Sequence, residues 1–208
     1  MKKILAILMI GALLPASAFA GKKKQDSTPQ DATDWLNAPT PDGSPTLKET
    51  SDWLAQTLAG YGGNNFETQT TVLYDIGITN DCNFHFTMKT TDRDTKHWFN
   101  SSDVSIPLGA VTSVEPYADP DTGRNTDVTI HTGNVEAMQF VSHGWQNKGT
   151  NSGNQIFIPV EHRPGAQPGA EVPQSPAQMV PRIVTALEHA ASLCRSVYKA
   201  PVQTKQPF

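Results

Sequence analysis

The stretch Ser175–Pro201, SPAQMVPRIVTALEHAASLCRSVYKAP, decides how the rest of the chain is read. Met179, Ile183, Leu187, Ala190, Cys194 and Val197 recur every three or four residues and so share one face of a helix. Ser175 suits the N-cap, Pro176 the first helical position, and Gln178 can close a capping box. Lys199 suits the negative end of the helix dipole, and Pro201 stops the run. Most of the chain before this helix reads as short strands. An apolar helical stripe must be buried against another element, and here β structure is what is available.

Working outward, the opposite end of the chain carries an address. Lys2 and Lys3 precede an apolar run from Ile4 to Leu14, and Ala18-Phe19-Ala20 is an A-x-A cleavage pattern. Residues 1–20 therefore read as a secretory signal peptide of bacterial type, which makes the mature chain periplasmic or secreted. The alternative, a membrane anchor, conflicts with an apolar run shorter than the ~20 residues a span needs. No later run is apolar enough to span a bilayer, and no cysteine lies near the cleavage pattern for lipid attachment. The chain has 16 basic and 20 acidic residues; without Lys2 and Lys3 the balance is 14 to 20. That net of −6 argues against nucleic acid as a partner. Lys22-Lys23-Lys24 is the one basic cluster, read as a solvated tail or as a weak contact for anionic lipid.

Residues 21–45 are rich in Asp, Thr, Pro and Gln, lack periodicity apart from an isolated Trp35-Leu36, and are expected to form a disordered arm. The domain proper is expected over 46–200, with a tail at 201–208. Thr46 opens a short helix with Leu47, Thr50, Leu54, Leu58 and Tyr61 on one face, Trp53 widening it, and Glu49 placed for a capping box. Gly60, Gly62 and Gly63 end it. Strands then follow at Phe66–Ile78, Cys82–Lys89, Lys96–Ile106, Ala110–Glu115, Val128–His131, Val135–Val141 and Gln155–Val160. The second is the clearest, since Cys82, Phe84, Phe86 and Met88 alternate with Asn83, His85, Thr87 and Lys89. Thr79-Asn80-Asp81, Thr91–Asp94, the segment Asp119–Asn125 and the segment around Gly149–Gly153 read as turns and loops. Prolines 164, 168, 173 and 176 punctuate the connection into the last helix.

Seven antiparallel strands in meander order, then a helix, predict an α+β, mainly β fold. Specifically, they predict a pleckstrin-homology (PH)-like seven-stranded barrel with a short N-terminal helix and a long C-terminal helix plugging one open end. The chain also resembles a family of uncharacterised exported bacterial proteins. Thr46-Leu-Lys-Glu-Thr-Ser-Asp-Trp-Leu54 resembles its TLxETxxWL opening, and Cys82-Asn-Phe-His-Phe86 its cysteine-led strand. Val104-Ser-Ile-Pro-Leu108 resembles an xIPL strand end, and Ala186–Cys194 an AxxHAxxLC helix. The resemblance spans about residues 45–198 and implies a PH-like barrel flanked by helices, with no assigned activity. The proline-rich connection and the loop near Gly149 depart from it.

The chemistry-bearing residues are sparse. Asp119, Asp121, Asn125 and Asp127 around Gly123 resemble a calcium loop, but position 12 is Ile130 rather than a bidentate Glu, and flanking helices are missing. A hairpin turn is the expected reading. His85, His97, His131, His143, His162 and His189 show no zinc-type spacing. Nucleophile-elbow, phosphate-loop and dinucleotide motifs are lacking, so neither catalytic residues nor a cofactor or metal is assigned. Trp145, in a polar loop, either contacts a ligand or folds back on the barrel. Cys82 belongs to the inward row of its strand and Cys194 to the apolar stripe of the last helix, so a Cys82–Cys194 disulfide is expected in an exported chain. The functional expectation is a non-enzymatic binding or interaction module of the bacterial envelope, its partner an envelope protein or peptide added at a strand edge. The alternative is an envelope hydrolase or metal-dependent enzyme with a noncontiguous site.

Overall fold

The computed structural model describes residues 40, 42–65, 68–118, 125–144, 148–161 and 175–195. Helix α1 (Leu47–Tyr61) is followed by strands β1 (Gly63–Asn65), β2 (Gln69–Ile78), β3 (Asn83–Asp92) and β4 (Trp98–Pro107). A 3-10 turn (Leu108–Ala110) leads to β5 (Ser113–Ala118), β6 (Asn125–His131), β7 (Met138–His143), β8 (Lys148–Gly153) and β9 (Gln155–Pro159). Helix α2 (Pro176–Cys194) closes the described chain. The α+β, mainly β class is as expected, but the seven-stranded barrel is corrected. All described strand pairs are antiparallel and form a six-stranded sheet, β1-β2-β3-β4-β7-β8, and a three-stranded sheet, β5-β6-β9. Among the described residues β8 pairs only with β7 and β5 only with β6, so two edges stay open and no closed barrel forms.

The sheets meet at one corner. Gly62 and Gly63 each bridge to Val160, and the N–H of Glu161 donates to the carbonyls of Tyr61 (2.9 Å) and Gly63 (3.0 Å). Glycine is required there by geometry. A Cβ on Gly63, whose φ is +149°, would stand 2.3 Å from the Thr71 carbonyl oxygen, and one on Gly62 would stand 2.4 Å from that of Leu58.

The core follows from register. Phe84 pairs with Ile106 and Phe86 with Val104, placing these four on the inner face of the large sheet. Val128 pairs with Ile158 and Ile130 with Ile156 to line the small sheet. Helix α2 lies on β5, β6 and the 3-10 turn, and α1 lies on β2 and α2. The α2 stripe read from spacing is buried as expected from Met179 to Cys194. Fully buried Ile183 and Leu187 each contribute roughly 1.5–3 kcal/mol by leaving water. The helix is described to Cys194, capped by Arg195, so Val197, Lys199 and Pro201 lie outside the described residues.

Both helix starts match the residues read for them. Glu49 N–H donates to the Thr46 hydroxyl (3.2 Å), while the Glu49 carboxylate accepts from Thr46 N–H (2.7 Å). At α2 the Gln178 side-chain oxygen accepts from Ser175 N–H (3.0 Å). Cys82 departs from the strand assigned to it. It has φ +65° and ends the turn from Thr79, with its N–H donating to the Thr79 carbonyl (3.0 Å). Its sulfur nonetheless points inward. Cys82 and Cys194 sit at disulfide distance, with Cα atoms 5.7 Å apart, and both are buried.

Candidate binding groove

A concavity lies between the helices. It is a groove of about 890 Å³ lined by residues of the α1 entry and first turns and by a second face of α2. Helical spacing builds both walls. Glu49, Thr50 and Trp53 fall one turn apart on α1, and Arg182, Thr185, Ala186 and His189 fall one turn apart on α2. The walls are largely apolar, carried by Pro45, Trp53, Pro181 and Ala186, and small Ala186 leaves room between the helices.

A guanidinium and an imidazole stand among them. The Arg182 guanidinium lies over the Trp53 ring at 5.4 Å, a cation–π arrangement that holds a charge at the apolar surface. The His189 Nε2 is 2.7 Å from the Pro45 carbonyl oxygen. A carbonyl only accepts, so Nε2 carries the proton of this bond. This bond ties α2 to the segment entering α1 and fixes one rim of the groove.

The acidic groups nearby are already engaged. The Asp42 carboxylate accepts from the Ser44 hydroxyl (2.7 Å) and N–H (3.1 Å), and these bonds, with a small contribution from His189, lower its pKa. Glu49 is lowered by the backbone N–H and hydroxyl of Thr46. The carboxylates of Asp42 and Glu49 thus serve the turn and the helix start beside the groove. The arm expected over residues 21–45 lies mostly outside the described residues, which begin at Thr40. Gly43, Ser44 and Pro45 line the groove, and Gly43 N–H donates to the Thr40 carbonyl (3.1 Å) to close a reverse turn.

The other sequence candidates are dispersed. Asp103 on β4 joins Thr87 of β3 and His143 of β7 on the solvent face of the large sheet. Its carboxylate accepts from the Thr87 hydroxyl (2.7 Å) and bonds the His143 Nε2 (2.8 Å), and these bonds, Thr87 first, lower its pKa. Among the described residues no hydroxyl or thiol bonds the other His143 nitrogen. His85, expected to be exposed, is partly buried over Gly77, and its Nδ1 lacks a protein partner. A polar row crosses four strands in register, Asn64, Thr71, Thr90 and Asn100, with buried, unpartnered carboxamide oxygens at its two ends. Among the described residues no three His, Cys, Asp or Glu cluster as metal ligands. Trp145, His162 and Asp119–Arg124 lie outside the described residues.

The groove itself escaped the sequence reading. Trp53, read as widening the apolar face of α1, packs partly buried against the core and also lines the groove. The usable signal was the second stripe on the last helix, Arg182, Thr185, Ala186 and His189, offset from the apolar one. Comparison with known proteins finds no matching family model, no similar curated protein and no similar solved structure.

Proposed function

We propose that the protein is an exported, non-enzymatic interaction module of the bacterial envelope that holds a peptide segment of an envelope partner between α1 and α2. The observation that carries this reading is the groove, largely apolar and open, with the Arg182 guanidinium over Trp53. Its size falls within the roughly 300–1,000 Å³ of sites that enclose a ligand. Apolar walls with a single stacked guanidinium suit an aromatic or aliphatic side chain next to a carboxylate. The edge-strand mode first expected is less well supported. Edge β5 carries Pro116, and edge β8 begins with Lys148, both devices that discourage strand addition.

The export part of the proposal rests on the signal-like start of the sequence and on the paired cysteines. No described helix is long and apolar enough to cross a membrane. Kinship with exported PH-like proteins belongs to the same proposal. Antiparallel order and the closing helix support it, whereas the nine strands among the described residues, in two sheets, depart from it. A hydrolase is the second reading, favoured by the Asp103–His143 pair alone. Peptide display against the mature chain separates the two. Selected peptides are expected to pair an aromatic or leucine with an acidic residue. They should lose about tenfold in affinity, about 1.4 kcal/mol, with Arg182→Glu, and bind undetectably to Ala186→Trp. Equal binding to both variants would refute the groove.

A further inference from the structure

We infer that the outer face of the small sheet, around Tyr117 and Phe157, is a second binding site, which takes the basic side chain, Lys or Arg, of a partner polypeptide. It is separate from the groove, because α2 covers the opposite, inner face of β5 and β6.

Register builds the site. Val114, Val128, Ile130, Ile156 and Ile158 face the core, so the residues that alternate with them face outward. Glu115, Thr129 and Phe157 form one outward row across β5, β6 and β9, and Tyr117, Asp127 and Pro159 form the next. The Tyr117 and Phe157 rings lean together over β6, with centroids 5.1 Å apart and planes at 72°. Thr129, between them on β6, is left 4% exposed, yet the rings themselves stay 37% and 43% exposed. Tyr74, Tyr117, Val135 and Phe157 are the exposed large apolar side chains among the described residues, and these two touch. Single exposed residues of this kind are ordinary, whereas an adjoining aromatic pair is a surface able to hold a partner group.

Charge selects the ligand. Aromatic faces carry negative potential and attract a cation laid on them. Glu115, two residues from Tyr117 on the same face, is exposed, and among the described residues nothing pairs with its carboxylate. Asp127, opposite Tyr117, is already engaged, so the open carboxylate is that of Glu115. His131, the other titratable side chain that register sets on this face of the described sheet, stands one row further, opposite Ser113 and Gln155. Two ring faces beside an open carboxylate favour an organic cation over an anion or a neutral apolar group. Shape then selects what presents the cation. The rings and Glu115 form a platform beside the open edge of β5, not an enclosure. Small-molecule sites surround most of their ligand, so a free amine would be held here from one side only. A partner chain supplies further contact around its basic side chain.

The test titrates the full mature chain, isotope-labelled in its aromatic rings, with the peptide acetyl-Ser-Gly-Lys-Gly-Ser-amide near neutral pH. NMR is expected to show saturable shifts of the Tyr117 and Phe157 ring signals. A peptide with norleucine for lysine, similar in shape but uncharged, is expected to bind about threefold more weakly, and so is the lysine peptide to Tyr117→Leu. Glu115→Gln is expected to cost about twofold, and serves alone should melting curves show Tyr117→Leu unfolded. n-Butylammonium, the same cation without a peptide, is expected to bind about tenfold more weakly than the lysine peptide. Ala186→Trp separates the two sites, since it blocks the groove and should leave the Tyr117 and Phe157 shifts in place. Equal binding of the norleucine peptide would overturn the cation, and equal binding of butylammonium the polypeptide. Shifts that are absent, that ignore Glu115→Gln and Tyr117→Leu, or that vanish in Ala186→Trp would overturn the site itself.

Discussion

At the corner where the sheets meet, Gly63 tolerates no side chain. A methyl group there would lie 2.3 Å from the Thr71 carbonyl, in backbone that cannot withdraw without breaking the β1–β2 ladder. Gly63→Ala is expected to cost more than about 2 kcal/mol, read as a fall in melting temperature of at least about 4 °C. Gly60 is the control, since it has open space around it and sits in α1. Gly60→Ala is expected to stabilise by about 0.5–1 kcal/mol through helix propensity. A different residue-scale effect belongs to Asp103. Its depressed pKa means that its contribution to stability is fully present above the ordinary carboxylate range and is lost as pH falls through the lowered value. Because the side chain is 54% exposed, that contribution is small, under about 1 kcal/mol. Asp103→Asn should therefore lower stability slightly at neutral pH and flatten its decline towards about pH 3 in urea titrations. An unchanged acid limb would show that the Thr87–Asp103–His143 contacts are energetically idle.

Among the elements, those with a buried face were legible and those without one were not. Helix α2 and strand β3 announced themselves because each sets large apolar side chains at its own period, against the same core. Strands β1 and β8 were missed for the opposite reason. Gly63-Asn64-Asn65 and Lys148-Gly-Thr-Asn-Ser-Gly153 carry no apolar alternation, and both are held by backbone pairing to one neighbouring strand of their sheet. A strand defined only by its partner's hydrogen bonds leaves no side-chain pattern to read. The same reasoning orders their dynamics. Amides of β8, exposed along nearly their whole length, should exchange with solvent fastest among the strands of the large sheet, and those of β3 and β4 slowest. Hydrogen-exchange mass spectrometry resolves this directly, and slow exchange across Lys148–Gly153 would mean that something covers that edge.

For the whole molecule, the sequence located both helices and the inward direction of both cysteines, but not the division into two sheets. That division turns on the glycine corner at Gly62-Gly63 and Val160, a long-range encounter with no local signature. The groove was hidden for a related cause, because its walls belong to helices more than a hundred residues apart. The Cys82–Cys194 pair spans the same distance, 112 positions. Closing that loop stabilises by roughly 4–5 kcal/mol in the chain-entropy view. Cys82→Ala/Cys194→Ala is accordingly expected to lose several kcal/mol in chemical denaturation, and a loss below about 1 kcal/mol would contradict the stapling role. The pair also has a mechanical side. It makes strands β3 to β9 and helix α2 a covalent ring, so a pull on the two chain ends travels through the sulfurs and bypasses everything between them. Only the segments before Cys82 and after Cys194 can then lengthen, and the ring withholds roughly 370–400 Å of contour from its 112 positions. Under tension this domain would behave as a knot on a cord, yielding its hidden length only where a reductant reaches the bond.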